Sequence, residues 1–209
     1  MILVKRKLFR MIGFLFPVVY LLSGLLLAAP WDRIPVLLIL TLFIGTMVWL
    51  ESWRFRSPKV NRWLFEHFKG FTKEKEREKI STTTLFLVAA ALTILIFPRA
   101  VAIPALLFLT VGDPAAEIVG VTWGRLKIVG GKTLEGTLAG IAACLLIGSP
   151  LLLVTRLGLS LPVLAIGAVA AALTELLPLP VDDNFTIPLG SGLAMIAAQL
   201  WLQGSVSWL

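Results

Sequence analysis

The chain has 209 residues, of which 58% are hydrophobic and 15% charged, with one Cys, one His and a formal net charge of +7. Its mean hydropathy of +0.93 is more than a soluble domain of this size can bury, so composition excludes an ordinary soluble globule and points to an integral membrane protein. Lone Cys144 and lone His67 exclude a disulfide framework and a His/Cys zinc centre, and Cys144, set among Ala and Leu, reads as a packing residue.

About 17 to 25 apolar residues suffice to cross a bilayer as a helix. Seven such segments are predicted, over 11–29, 34–50, 80–97, 100–120, 134–155, 160–177 and 186–203. The first is too long for a signal-peptide core and has no small-residue cleavage site, which predicts a retained helix. The connections alternate in charge. Lys5, Arg6, Lys7 and Arg10, the run from Arg54 to Lys79, and Arg125, Lys127 and Lys132 fall on one side, leaving Arg33, Arg99 and Arg156 on the other. By the positive-inside rule the N-terminus is cytoplasmic and the C-terminus external, so the net charge is a topology signal rather than a nucleic-acid surface.

Between spans two and three, Ser57-Pro58 is an N-cap followed by a first-turn proline. Val60, Trp63, Leu64, Phe68 and Phe71 then recur at helical spacing opposite Arg62, Glu66 and Lys69. That pattern predicts a short interfacial helix lying on the bilayer and ended near Gly70. TKEKEREK, residues 72–79, reads as a solvated helix extending the third span. No repeat or soluble domain interrupts the chain, so residues 1–209 are expected to form one polytopic membrane domain.

The polar residues that could carry chemistry begin with Asp113, in an otherwise apolar run. A carboxylate at membrane depth costs a few kcal/mol or more unless it faces protein, water or a cation. Pro114 suits a first helical position, so Asp113 can also cap a half-helix. Glu117 follows four residues on, which puts both carboxylates on one helix face, where a divalent cation could bridge them. Gly130-Gly131-Lys132-Thr133 is not a P-loop, because the first glycine of that motif falls on Leu126 and no strand precedes it. Its glycines still let backbone approach a phosphate, Lys132 supplies charge, and a helix beginning near Thr133 would aim N–H groups at the same place. Gly120-x-x-x-Gly124 and Gly136-x-x-x-Gly140 read as helix-packing notches. Glu175 and the Asp182-Asp183-Asn184 turn add acids on the same side, one of them a helix cap by its position. Carboxylates for Mg²⁺ beside Lys and Arg for phosphate are the parts of phosphoryl transfer.

With these residues in view, GDPAAEIVGVTWGRLKI followed by GKTLEGTLAG resembles the CTP-using region of the dolichol kinase, phytol kinase and CTP-dependent diacylglycerol kinase family. VKRKLFRMIGFLFP is similar to that family's N-terminal Arg-Lys segment, LESWRF to its Glu-x-x-Arg, and ELLPLPVDDNFTIPL to its terminal Asp-Asn-x-x-x-Pro. The resemblance implies transfer of the γ-phosphate of CTP to the hydroxyl of a membrane lipid alcohol. It implies roles for Arg6 and Lys7 on the nucleotide or lipid-phosphate end, for Asp113, Gly120 and Lys132, and for Asp183-Asn184. Arg10 stands where the family often has His, so no general base is assigned there.

The expectation is a lipid kinase in the cell membrane with its site facing the cytoplasm. Mg²⁺ is held by Asp113 with Glu117 or Asp183, charge is neutralised by Lys132 with Arg125 or Lys127, and phosphate contacts come from Gly120, Gly131, Thr133 and Asn184. The acceptor proton goes to Asp113 or Glu117. A CDP-lipid-forming cytidylyltransferase would use similar parts but lacks a matching Lys-Asp and His-Gly-Gly pattern here. A transporter with a broken fourth helix would also carry intramembrane acids.

Overall fold

The computed structural model describes residues 11–67, 76–154, 157–178 and 181–204. They form α1 (Leu15–Leu26), α2 (Ile34–Arg56), α3 (Pro58–His67), α4 (Thr82–Ile96), α5 (Arg99–Leu107), α6 (Asp113–Trp123), α7 (Leu134–Gly148), α8 (Leu161–Leu176) and α9 (Asp183–Gln203). Among the described residues there is no strand, only an isolated bridge between Lys127 and Thr133.

Each predicted apolar segment is helical, but their lengths differ. With their flanking turns, the runs Trp31–Arg56, Arg99–Trp123, Leu134–Leu153 and Asp183–Gln203 are long and apolar enough to cross a membrane. Helices α1, α4 and α8, with 12, 15 and 16 residues, reach only about 18 to 24 Å against a hydrocarbon core of about 30 Å. Among the described residues, four helical runs therefore meet the length of a full span by themselves. Leu38, Leu42, Leu146 and Trp201 lie open on the outside, as side chains facing lipid do. Exposed Trp31 and Trp53 stand near the two ends of one run, separated by about 33 Å of helix. That spacing suits a tryptophan at each interface.

The run Arg99–Trp123 is the pillar of the bundle. Its apolar window is 78% buried, against 17% for Trp31–Arg56. Around it packs a core that includes Tyr20, Leu40, Ile94, Phe108, Leu164 and Met195. The half-helix break that a capping Asp113 would require is absent: Gly112 and Asp113 keep right-handed helical angles, and the run widens into a five-residue π turn at Phe108–Gly112. Pro114 supplies the reason, since it lacks an N–H for the Thr110 carbonyl and its ring would strike that oxygen in a regular helix. Asp113 is therefore inside a continuous helical run and does not cap a half-helix.

Polar contacts divide the molecule into two ends. At one, Arg99 Nη1 lies 3.0 Å from Asp32 Oδ2, both side chains buried. Ser23 Oγ donates to the Asp32 carbonyl at 2.5 Å, and Gly24 leaves the room Arg99 occupies. At the other end, Arg54 donates to the carbonyls of Glu76 and Arg77 at 3.0 and 3.2 Å and to that of Lys79. Glu51 Oε1 accepts from Ser81 N–H and Thr84 Oγ1, each at 2.8 Å. This clamp overturns the expected solvated helix for the part of TKEKEREK that is described. Glu76 is buried and 76–79 form a turn, because the guanidinium draws their carbonyls inward. Helix α3 starts at Pro58 as expected, with Arg62 and Glu66 exposed, but it docks through Phe65 rather than through Trp63. Phe68, Gly70 and Phe71 lie outside the described residues.

Candidate functional site

The π turn sets the site. By widening the helix just before Asp113, it fixes the direction in which the next two turns face. Asp113, Ala116, Glu117, Gly120 and Val121 of α6 line one wall of a cavity of about 200 Å³. The predicted i, i+4 pair of carboxylates thus shares a face and a cavity, with Asp113 buried and Glu117 half-buried.

Helix α7 forms the facing wall at close range. A Cβ at Gly136 would lie 2.6 Å from the Ala116 carbonyl oxygen, and one at Gly140 would lie 2.9 Å from the Ala116 Cβ. A Cβ at Gly120 would lie 2.9 Å from Thr133 Oγ1, and Gly112 has Cys144 Sγ against it. Gly112, Ala116 and Gly120 therefore mesh with Gly136, Gly140 and Cys144, and Gly124 closes on Thr133, as the predicted notches require. Gly120 lines the cavity because it belongs to this seam.

Between these walls the chain makes a tight loop. Ile128 N–H donates to Lys132 O at 2.8 Å and Leu134 N–H to Leu126 O at 2.9 Å. Gly130 and Gly131 take φ of 62° and 79° to close it, a region glycine enters without steric cost. Thr133 caps α7, its Oγ1 accepting from Gly136 N–H at 3.2 Å. The helix begins where the sequence suggests, but the amides of Leu134 and Gly136 are already bonded within the chain. The expected phosphate cradle of free N–H groups is reduced by those two donors.

Lys132 leaves this loop toward α8. Its ammonium donates to the Glu175 carbonyl, lies 3.2 Å from Glu175 Oε1 and stands 4.0 Å from Asp183 Oδ2. Helices α8 and α9 are held together by Gly167 against Met195 and Gly190 against Thr174. That packing brings the end of one beside the start of the other, so Glu175 and Asp183 meet at the cavity.

The cavity gathers Asp113, Glu117, Gly120, Gly131, Lys132, Thr133 and Asp183. Glu175 joins them; in the sequence it stands only as a further acid on the same side, without a role of its own. The readable signal was one acid closing an otherwise apolar helix, where unpaired carbonyls attract a cation. Arg125 and Lys127 are exposed on the loop and do not line the cavity. Asn184 is fully buried and donates to the Thr82 carbonyl at 3.5 Å and to Asp182, tying α9 to α4 rather than lining the cavity. Asp182 is the cap of α9, accepting from Asn184 N–H at 3.0 Å. Arg6 and Lys7 lie outside the described residues.

Among the described residues, no three Asp, Glu, His or Cys side chains converge closely enough to enclose a metal ion by themselves. The donor set still suits Mg²⁺, which commonly takes one or two carboxylates and completes its shell with water and substrate phosphate. Among the described residues, four carboxylates and one ammonium line the cavity, a balance that attracts cations and repels a bare polyphosphate.

The chain is 24% identical over 190 residues to the "Uncharacterized protein RP860" of Rickettsia prowazekii (strain Madrid E), spanning 88% of this chain and 89% of that protein. No family model matches the chain. No solved structure matches it.

Proposed function

We propose that the protein is a CTP-dependent kinase that phosphorylates the hydroxyl of a membrane lipid alcohol, working at the cytoplasmic face of the cell membrane with seven apolar helices in the bilayer. The observation that carries the reading is the single cavity in which Asp113 and Glu117 face Lys132 and Asp183. The motif resemblance supplies the nucleotide and the acceptor class.

In this reading Asp113, with Glu117 or Asp183, holds Mg²⁺ as its complex with the nucleotide. The ion would offset the cavity's surplus of negative charge and the charge of the phosphates. Lys132 neutralises the phosphoryl group as it leaves CDP, while Arg125 or Lys127 and the N-terminal Arg6 and Lys7 serve the outer phosphates. The lipid hydroxyl attacks the γ-phosphorus. The bond from that phosphorus to the bridging oxygen breaks, CDP departs, and the hydroxyl proton passes to Asp113 or Glu117. Catalysis on these terms is mainly positioning and charge neutralisation.

The acid-rich lining favours a second reading, a cation-translocating protein, which predicts ion flux without nucleotide turnover. The test uses purified protein with Mg²⁺, CTP labelled separately at α and γ, and polyprenol, phytol and diacylglycerol as acceptors. Label from γ in the lipid supports the kinase. Label from α makes the protein a cytidylyltransferase, and flux with no labelled lipid makes it a transporter.

A further inference from the structure

Among the described residues, Lys132 carries the one ammonium that lines the cavity, and a lysine is a poor positioning group unless something fixes it. Its four-carbon stem is flexible and its charge is a compact point without the planar fork of arginine. Here the side chain is one-third exposed, so packing alone does not hold it. Both oxygens nearest the ammonium belong to one residue, the backbone carbonyl of Glu175 and its Oε1 at 3.2 Å. An ammonium has three donors. With two directed at Glu175, the third remains for a ligand, because Asp183 Oδ2 at 4.0 Å is beyond hydrogen-bond reach.

The setting of Glu175 makes it a rigid holder. Its side chain is only 14% exposed, and it sits in the last turn of α8, one residue before the helix ends. There the carbonyls have no partner further along the helix and the dipole favours a cation. The close α8–α9 packing at Gly167 and Gly190 fixes that turn. The flexible cation is thus fastened to a fixed helix end rather than to another loop.

We propose that Glu175 is a positioning residue for Lys132: it orients the ammonium so that its remaining donor meets the phosphoryl group to be transferred. The inference rests on the kinase reading. Glu175 acts through Lys132 and need not touch the nucleotide.

The experiment is a double-mutant cycle with K132A, E175A and the pair, adding E175Q, in purified protein with Mg²⁺ and CTP. The readouts are kcat, KM for CTP and thermal midpoint. E175A should lower kcat about tenfold in the presence of Lys132 and change it less than about twofold once Lys132 is Ala, the non-additivity expected of residues acting as one unit. E175Q, which keeps an acceptor oxygen, should recover part of the loss, with KM moving less than kcat. Equal losses from E175A in both backgrounds, or a fall in kcat that tracks only a lower thermal midpoint, would overturn the proposal while leaving the kinase reading intact. Absence of turnover in the unaltered protein under every acceptor removes both.

Discussion

At the scale of residues, the site is defined by acids that an apolar setting makes conspicuous. Asp113 is buried at the cavity wall, and Asn matches its shape without its charge. Asp113→Asn is expected to reduce lipid phosphorylation by about a hundredfold or more, the scale of losing one well-placed electrostatic group, with an unchanged thermal midpoint. Turnover near that of the unaltered protein would end its role. Arg99 and Asp32 offer a stability test away from the site. Arg99→Met leaves a buried carboxylate without its cation and should cost about 3 to 5 kcal/mol. Adding Asp32→Asn should return much of that loss in a denaturation series. Asp113, Glu117 and Lys132 were legible because charge beside lipid has few bland explanations. The Glu175 partnership with Lys132 was not, because the two are 43 positions apart and only the packing of α8 on α9 and the reach of one side chain join them. Asn184 shows the reverse error: it stands beside an acid of the site in sequence, yet its amide serves the junction with α4.

At the scale of elements, the π turn at Phe108–Gly112 carries the most consequence. Helix periodicity made a helix here legible, and Pro114 marked an irregularity. Yet a proline in an apolar run fits either a break or a widened turn, and the two share one sequence signature. Packing decides, because the Arg99–Trp123 run is enclosed along most of its length and a break would strand backbone groups there. Pro114→Ala removes both the ring clash and the missing donor, so a regular ladder can form. Each residue taken out of the widening turns the following face by about 100°, which would carry Glu117 and Gly120 off the cavity. The expected outcome is a thermal midpoint that is equal or higher together with a fall in turnover of about a hundredfold, the cost of misplacing groups by an ångström or so. A higher midpoint with full turnover would mean that the π turn does not set the site. The Arg54 clamp illustrates a different blindness. Lys and Glu alternating over residues 72–79 look solvated, and nothing local reveals that a guanidinium from α2 collects the carbonyls of Glu76, Arg77 and Lys79.

At the scale of the whole molecule, charge and geometry agree on two ends. Arg54 and Lys132 bind oxygens at the end that holds the cavity, where the Arg77 guanidinium lies over the Phe65 ring, while Arg99 is sealed against Asp32 at the other. The all-helical class followed from hydropathy alone. The number of full spans did not, because hydropathy counts apolar residues and helix length depends on where caps and turns fall: Ser81, Thr133 and Asp182 each start a helix by accepting an amide bond. Orientation is the remaining global property, and it can be read with single cysteines, since Cys144 is buried and can be replaced by Ala. In that background, Lys127→Cys lies on the exposed loop beside the cavity. Gln203→Cys lies at the far end, where Gln203 Nε2 donates to Ser160 Oγ at 3.3 Å. A membrane-impermeant maleimide added to intact cells should label position 203, and should label position 127 only after the membrane is opened. The reverse pattern would place the cavity outside, away from cytoplasmic nucleotide, and would defeat the kinase reading however well the carboxylates are arranged. Labelling of both positions from one side would instead show that the helices do not carry the chain between opposite faces, so the alternation of basic connections would have to arise from something other than the positive-inside rule.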